Sequence, residues 1–157
     1  LRLTNTYGPC MRVKDARQTF LGIWIRRLIE GKPLLVFGDG KQVRDFTYVD
    51  DAVDAFLLAG ESEDANGEIY NLGADDPINL KDTAELLIKI NGAGTYSIVP
   101  FPEERKIIDI GDYYGDYRKI RSRLGWKPST PLELGLEKTL DFYRKFHEYY
   151  WEADHEQ

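Results

Sequence analysis

The sequence holds one cysteine, Cys10, one methionine, Met11, and only two histidines, His147 and His155. A single thiol excludes an intramolecular disulfide and any zinc cluster built on several cysteines. Scarce cysteine fits a reducing compartment, so a cytoplasmic location is expected. Neither histidine has a cysteine or a second histidine at ligand spacing, and no metal site is expected. Basic residues are outnumbered, 21 to 27, and the net charge is −6. That argues against a nucleic-acid partner, which needs a basic footprint, but leaves room for a local cationic pocket around a small anion. No apolar run approaches the roughly 18–20 residues that span a bilayer, so no membrane partner is expected. Internal repeats and low-complexity tracts are also missing.

What is present suits a globular chain. Its 157 residues are 42% hydrophobic and 31% charged, enough for one domain with a real core. The chain opens on LRLTNTYGP, without an initiator methionine and already in an apolar, strand-like run. Strands rarely start without a lead-in, so a piece of a longer protein is expected over a trimmed complete domain.

The most informative stretch is Pro33 to Asp51, PLLVFGDGKQVRDFTYVDD. Leu34–Phe37 reads as a strand, Gly38-Asp39-Gly40 as a turn, Phe46–Val49 as a second strand, and Asp50 or Asp51 as a helix N-cap. Two readings stand. One is an ordinary hairpin with a surface arginine. The other puts the Phe37 ring and the Arg44 guanidinium at the ends of two short strands, a pairing that suits a flat base and an anionic phosphate.

The remaining elements alternate. Leu1–Tyr7 is a short strand stopped by Gly8-Pro9. Asn5 sits near its carboxyl end, where open α/β sheets collect ligands, or serves its own turn. Phe20, Ile23, Trp24 and Leu28 share a helical face between about Gln18 and Glu30. After Asp51 a second helix is expected to bury Ala52, Val53, Phe56 and Leu57. Glu68–Leu72 reads as a strand, and Asn79 caps a helix with Ala84, Leu87 and Ile88 inward. Ser97–Phe101 is a short strand limited by its prolines. Glu103–Tyr117 has neither period and reads as an ordered aromatic loop. A short helix near Asp116–Leu124 ends at Gly125, and Thr130-Pro131-Leu132-Glu133 starts the last helix. That helix turns Leu132, Leu136, Leu140, Tyr143 and Phe146 inward, and a frayed tail is expected after Tyr150. The expected class is α/β: a small mixed domain of short strands and about five helices.

LRLTNTYGP, a helix, PLLVFGDGKQVRDFTYVDDAVDA, EIYNLG and LGWKPSTPLELGL, in that order, resemble the C-terminal part of extended short-chain dehydrogenase/reductases acting on sugar nucleotides. UDP-glucose 4-epimerases, dTDP-glucose 4,6-dehydratases and UDP-glucuronate decarboxylases are of this kind. The resemblance runs from Leu1 to about Phe146. It implies a sugar-nucleotide-binding part, 1–157, of an NAD-dependent epimerase or dehydratase, with the family's N-terminal Rossmann domain absent. It implies NAD in the intact enzyme and none on this chain. The implied ligand is a nucleoside-diphosphate sugar. The family's glycine-rich turn and Tyr-x-x-x-Lys pair do not occur in these residues, and Tyr113 and Tyr117 lack a lysine at that spacing. The chain alone is therefore expected to be inactive, with no catalytic residue of its own. A non-catalytic nucleotide-sugar-binding or structural domain is the alternative.

Carried over residue by residue, the resemblance places Asn5 on the sugar-nucleotide phosphates, Phe37 on the base with Leu35 beside it, and Arg44 on the nucleotide. Arg105, or Lys106, matches a cation on the diphosphate, and Tyr113 an aromatic near it. The segment from Thr19 to Leu21 matches a base contact, and Leu3 and Thr4 lie where the family's chain passes the nicotinamide. Cys10 stands where decarboxylases carry the arginine of G-P-R-M, which argues against decarboxylase chemistry. The full-length protein is expected to be a homodimer. This chain is expected to self-associate through unpaired strands at Leu1–Tyr7 and Glu68–Leu72.

Overall fold

The computed structural model describes residues 1–14, 19–103 and 110–152. Among them are six short strands and five helices: β1 (Asn5–Tyr7), α1 (Phe20–Ile29), β2 (Leu34–Phe37), β3 (Val43–Arg44), β4 (Phe46–Tyr48), α2 (Val49–Glu61), β5 (Ile78–Asn79), α3 (Leu80–Asn91), β6 (Tyr96–Val99), α4 (Arg118–Leu124) and α5 (Leu132–Phe146). This is the small mixed α/β architecture that the sequence predicts. No helix among the described residues is long and apolar enough to cross a membrane.

The strands form three separate pairs. β1 lies parallel to β4, β2 parallel to β6, and β3 antiparallel to β5. The expected hairpin between Leu34–Phe37 and Phe46–Val49 is therefore corrected, because consecutive strands here take partners far away in the chain. Gly38 and Gly40, both at positive φ, turn the backbone out of β2. The loop then packs on the start of α3: Lys81 N donates to Gly40 O and Leu80 N to Gln42 O. The first predicted strand also splits. Thr4 bends, so Asn5 opens β1 instead of standing at its carboxyl end, and Arg2 forms a lone bridge with Asn71. Among the described residues, that bridge is the one ladder contact of the predicted Glu68–Leu72 strand, too little for a strand.

The main core gathers Tyr7, Leu21, Trp24, Ile25, Leu28, Leu34, Val36, Leu87, Leu136, Leu140 and Tyr143. α1 buries Leu21, Trp24, Ile25 and Leu28, so Ile25 replaces the expected Ile23. Trp24 Nε1 donates to Leu35 O at 3.0 Å, tying the helix to β2. α3 is capped as expected, Asn79 accepting from Asp82 N, and ends on left-handed Gly92. α5 passes close over Tyr7 because residue 135 is glycine; a methyl group there would overlap the Tyr7 hydroxyl. The expected fraying after Tyr150 is corrected at Trp151. Its indole is buried in the main core, beside the Tyr143 ring and under the Arg26 guanidinium.

A second, smaller cluster holds Ala52, Ala55, Tyr70, Leu72, Tyr117, Ile120 and Trp126. Here the expectation for α2 fails. The helix begins at Val49 after Tyr48, without a side-chain cap, and Asp51 faces inward. Its carboxylate accepts from Ser129 N, Ser129 Oγ and Thr130 N at 2.6–3.1 Å, and its carbonyl accepts from Trp126 Nε1. Small Ala52 and Ala55 pack inward, while Val53, Phe56 and Leu57 lie exposed. Thr130 likewise does not cap α5; its amide is spent on Asp51, and Pro131 precedes the first helical residue.

Candidate functional site

The side chains that matter gather where β3 gives way to β4. Val43–Arg44 is short and has a neighbour on each side. On one edge β3 meets β5; on the other, Arg44 forms a bridge with Tyr113. The segment 110–115 is therefore laid along Arg44 by backbone pairing. Tyr113 N donates to Val43 O at 3.0 Å, and Val43 N donates to Asp112 Oδ1 at 2.8 Å. The Arg44 guanidinium folds back over this junction, with Nη1 donating to Val43 O at 2.8 Å and also to Gly111 O. A half-buried guanidinium anchored to carbonyls is held in one place rather than swinging free in solvent.

Asn5 joins the same point from β1. Its Nδ2 donates to Asp45 O at 3.0 Å, one residue beyond Arg44. Asn5, Arg44 and Tyr113 are thus linked through consecutive contacts, although 108 positions separate the first from the last by number. Tyr113 is exposed, its ring open to solvent beside the arginine.

The other predicted residues lie differently. Phe37 closes β2 with its ring 5.7 Å from that of Phe101, a tilted aromatic pair. Leu35 is half-buried in β2 and offers its carbonyl to Trp24. Leu21 is packed in the main core, so its side chain faces α1's neighbours. Leu3 is exposed, and Thr4 Oγ1 is buried with no hydrogen-bond partner among the described residues. Arg105 and Lys106 lie outside the described residues. A cleft of about 230 Å³ opens elsewhere, between Ala74–Asp76 and Pro128–Leu132. Its two carboxylates make it a poor seat for a diphosphate.

Charges around the site are arranged locally. The Arg118 guanidinium, hydrogen-bonded to both Asp116 oxygens, holds that carboxyl down at about 2. The Tyr117 hydroxyl donates to Asp75, which pushes the phenol up from its ordinary value. No group of His, Cys, Asp and Glu among the described residues is placed to hold a metal. For NAD, the residues present are a poor fit. The Thr4 hydroxyl is buried, Leu3 offers only an apolar side chain, and the sequence has no glycine-rich turn to receive a pyrophosphate.

Three residues of this site were not legible beforehand. Asp112 binds the 110–115 segment to β3, and Asp45, between β3 and β4, binds it through Gly115. The only hint in the sequence was an aspartate placed between a candidate arginine and a strand, in Arg44-Asp45-Phe46.

Residues 1–73 match the model of the NAD dependent epimerase/dehydratase family. A UDP-N-acetyl-alpha-D-glucosaminuronate decarboxylase of Bacillus cytotoxicus is 34% identical over 151 residues, 92% of this chain and 46% of that protein. The crystal structure of a Thermotoga maritima UDP-glucose 4-epimerase with UDP-glucose superposes with a TM-score of 0.80 at 33% identity, over 93% of this chain and 45% of the other. A UDP-glucuronic acid 4-epimerase from Bacillus cereus, in complex with UDP-glucuronic acid and NAD, gives 0.77 at 30% identity, over 92% and 44%. The chain spans about half the length of the relatives it matches, or less. Matched in its first 73 residues by the family model, and similar along nearly its whole length to UDP-sugar decarboxylases and epimerases, the chain resembles the NAD-dependent epimerase/dehydratase family.

Proposed function

We propose that this chain is the sugar-nucleotide-binding part of an NAD-dependent nucleoside-diphosphate-sugar 4-epimerase. The observation that carries the reading is the Asn5–Arg44–Tyr113 group: an amide, a backbone-anchored guanidinium and an exposed phenol held together at one strand junction. Phosphate oxygens accept from the first two, and Tyr113 offers a flat apolar face. Phe37, with Leu35 behind it, supplies the surface for the base, worth about 1–3 kcal/mol by stacking. The 4-epimerases among the compared structures, with their UDP-sugars, support this ligand class. Cys10, in place of the decarboxylases' arginine, favours epimerase over decarboxylase chemistry, although a decarboxylase is among the similar proteins.

In this reading the chain supplies binding and orientation, while hydride transfer belongs to NAD and to a Tyr-x-x-x-Lys pair that these residues do not contain. The chain alone performs no turnover, the full-length protein is a cytoplasmic homodimer, and the chain alone self-associates through the outer edges of Leu1–Tyr7 and Glu68–Leu72. Calorimetric titration with UDP-glucose tests the ligand. Binding is expected, and Arg44→Ala should weaken it about tenfold or more, the worth of a charge-assisted hydrogen bond. Unchanged affinity in that variant overturns the site. The missing Tyr-x-x-x-Lys pair favours a second reading, a nucleotide-sugar-binding module without catalysis. Epimerisation by the full-length protein, carrying such a pair upstream, decides against it.

A further inference from the structure

Asp45 is an ionisable side chain with no exposed surface. Burying a carboxylate is costly unless hydrogen bonds compensate, so its partners are informative. Oδ2 accepts from Gly115 N at 2.9 Å and from Ala74 N at 3.2 Å. Its backbone carbonyl accepts from Asn5 Nδ2. One residue thus collects β1, the β3–β4 junction, the turn after Leu72 and the 110–115 segment. Gly115 fits this point for steric reasons: a methyl group there would overlap Leu72 O, and one at Gly73 would overlap Gly115 O. Three backbones converge on the carboxylate with no room for a side chain between them.

The geometry points to Asp45 as a positioning residue that sets the Arg44 guanidinium. The chain of cause is short. Asp45 Oδ2 pins Gly115, and pinned Gly115 fixes the segment whose Asp112 and Tyr113 pair with Val43 and whose Gly111 carbonyl receives Arg44 Nη1. Without the pin, the segment that shapes both Arg44 and Tyr113 keeps its pairing with Val43 and its anchor at buried Tyr117 but loses the hydrogen bond between the two. The bearing of this clamp on a ligand rests on the nucleotide-sugar reading above; the clamp itself does not.

The test uses the 157-residue chain, amide exchange by NMR, the Arg44 Nε–H resonance and titration with UDP. In Asp45→Ala the Gly115 and Tyr113 amides should exchange about tenfold faster or more, while those of α1 and α5 keep their rates. The Arg44 resonance should move. Asp45→Asn retains one acceptor oxygen and should restore both readouts. UDP affinity should fall about tenfold in Asp45→Ala, and the Asp45→Ala/Arg44→Ala pair should lose less than the two single losses combined, because the first residue acts in good part through the second. Unchanged Tyr113 exchange, an unmoved Arg44 resonance or additive losses overturn the proposal. If Asp45→Ala does not fold, Gly115→Ala takes its place. Its methyl group displaces the segment with Asp45 intact, and the same Arg44 shift is expected; an unmoved resonance there is equally fatal. A wild-type chain without UDP affinity sinks the nucleotide-sugar reading, while exchange and the Arg44 resonance still decide the clamp.

Discussion

Helices α1 and α2 both carry large apolar residues and treat them in opposite ways. In α1, Leu21, Trp24, Ile25 and Leu28 all turn into the main core, and Ile25 has no exposed surface. In α2 the inward positions are Ala52 and Ala55, beside a buried aspartate, while Val53, Phe56 and Leu57 remain 48–60% exposed. α1 is seated by apolar area. α2 is seated by the Asp51 carboxylate, which gathers Ser129 and Thr130, and by two methyl groups small enough to let the helix approach β1 and β4. Helical spacing identifies residues that share a face; it does not say whether anything covers that face.

The contrast gives predictions that differ in size. Truncating Ile25 to alanine opens a cavity in the main core and should cost about 2–5 kcal/mol in urea unfolding. A loss comparable to that of a surface change would mean α1 is not the apolar anchor. Alkaline pH should attack the same core next. Burial pushes the phenols of Tyr7 and Tyr143 well above their ordinary value of 10. A raised folded value means the unfolded chain ionises first, so this stability is complete below pH 10 and drains away as pH rises beyond it. Each tyrosine should contribute a slope of roughly 1.4 kcal/mol per pH unit above 10. Tyr143→Phe should flatten the decline, and a profile unaltered by that change would count against its burial. The smallest effect belongs to α2. Phe56→Gln with Leu57→Gln should change the stability of this chain by less than about 0.5 kcal/mol in the same unfolding measurement. A loss of several kcal/mol would show that the outer face of α2 is covered in solution.

The sequence disclosed local features well and distant ones poorly, for one physical reason. α3 was legible down to its Asn79 cap, because the cap acts within a few residues. α5 was legible along its inner stripe through Leu136, Leu140 and Tyr143. Strand partners were not, since β1 reaches β4 and β2 reaches β6 across intervening helices. The site divides in the same way. Arg44 and Tyr113 were each picked out, but the residues that join them, Asp45 and Gly115, are 70 positions apart and carry no local signature. α2 misled because its larger apolar side suggested the buried one.

Tyr143 sits in one cluster with Tyr7 and Val13, its hydroxyl bonded to the Met11 carbonyl, and Trp151 lies beside it. Residues from the first and last thirds of the sequence thus finish the same core. During synthesis the early residues emerge with their apolar partners still unmade, and no partial chain ending before position 151 can close that cluster. β1 and α1 meet β4, β2 and α3 early in synthesis, but the part of the core around Tyr143 is complete only when Trp151 has been made.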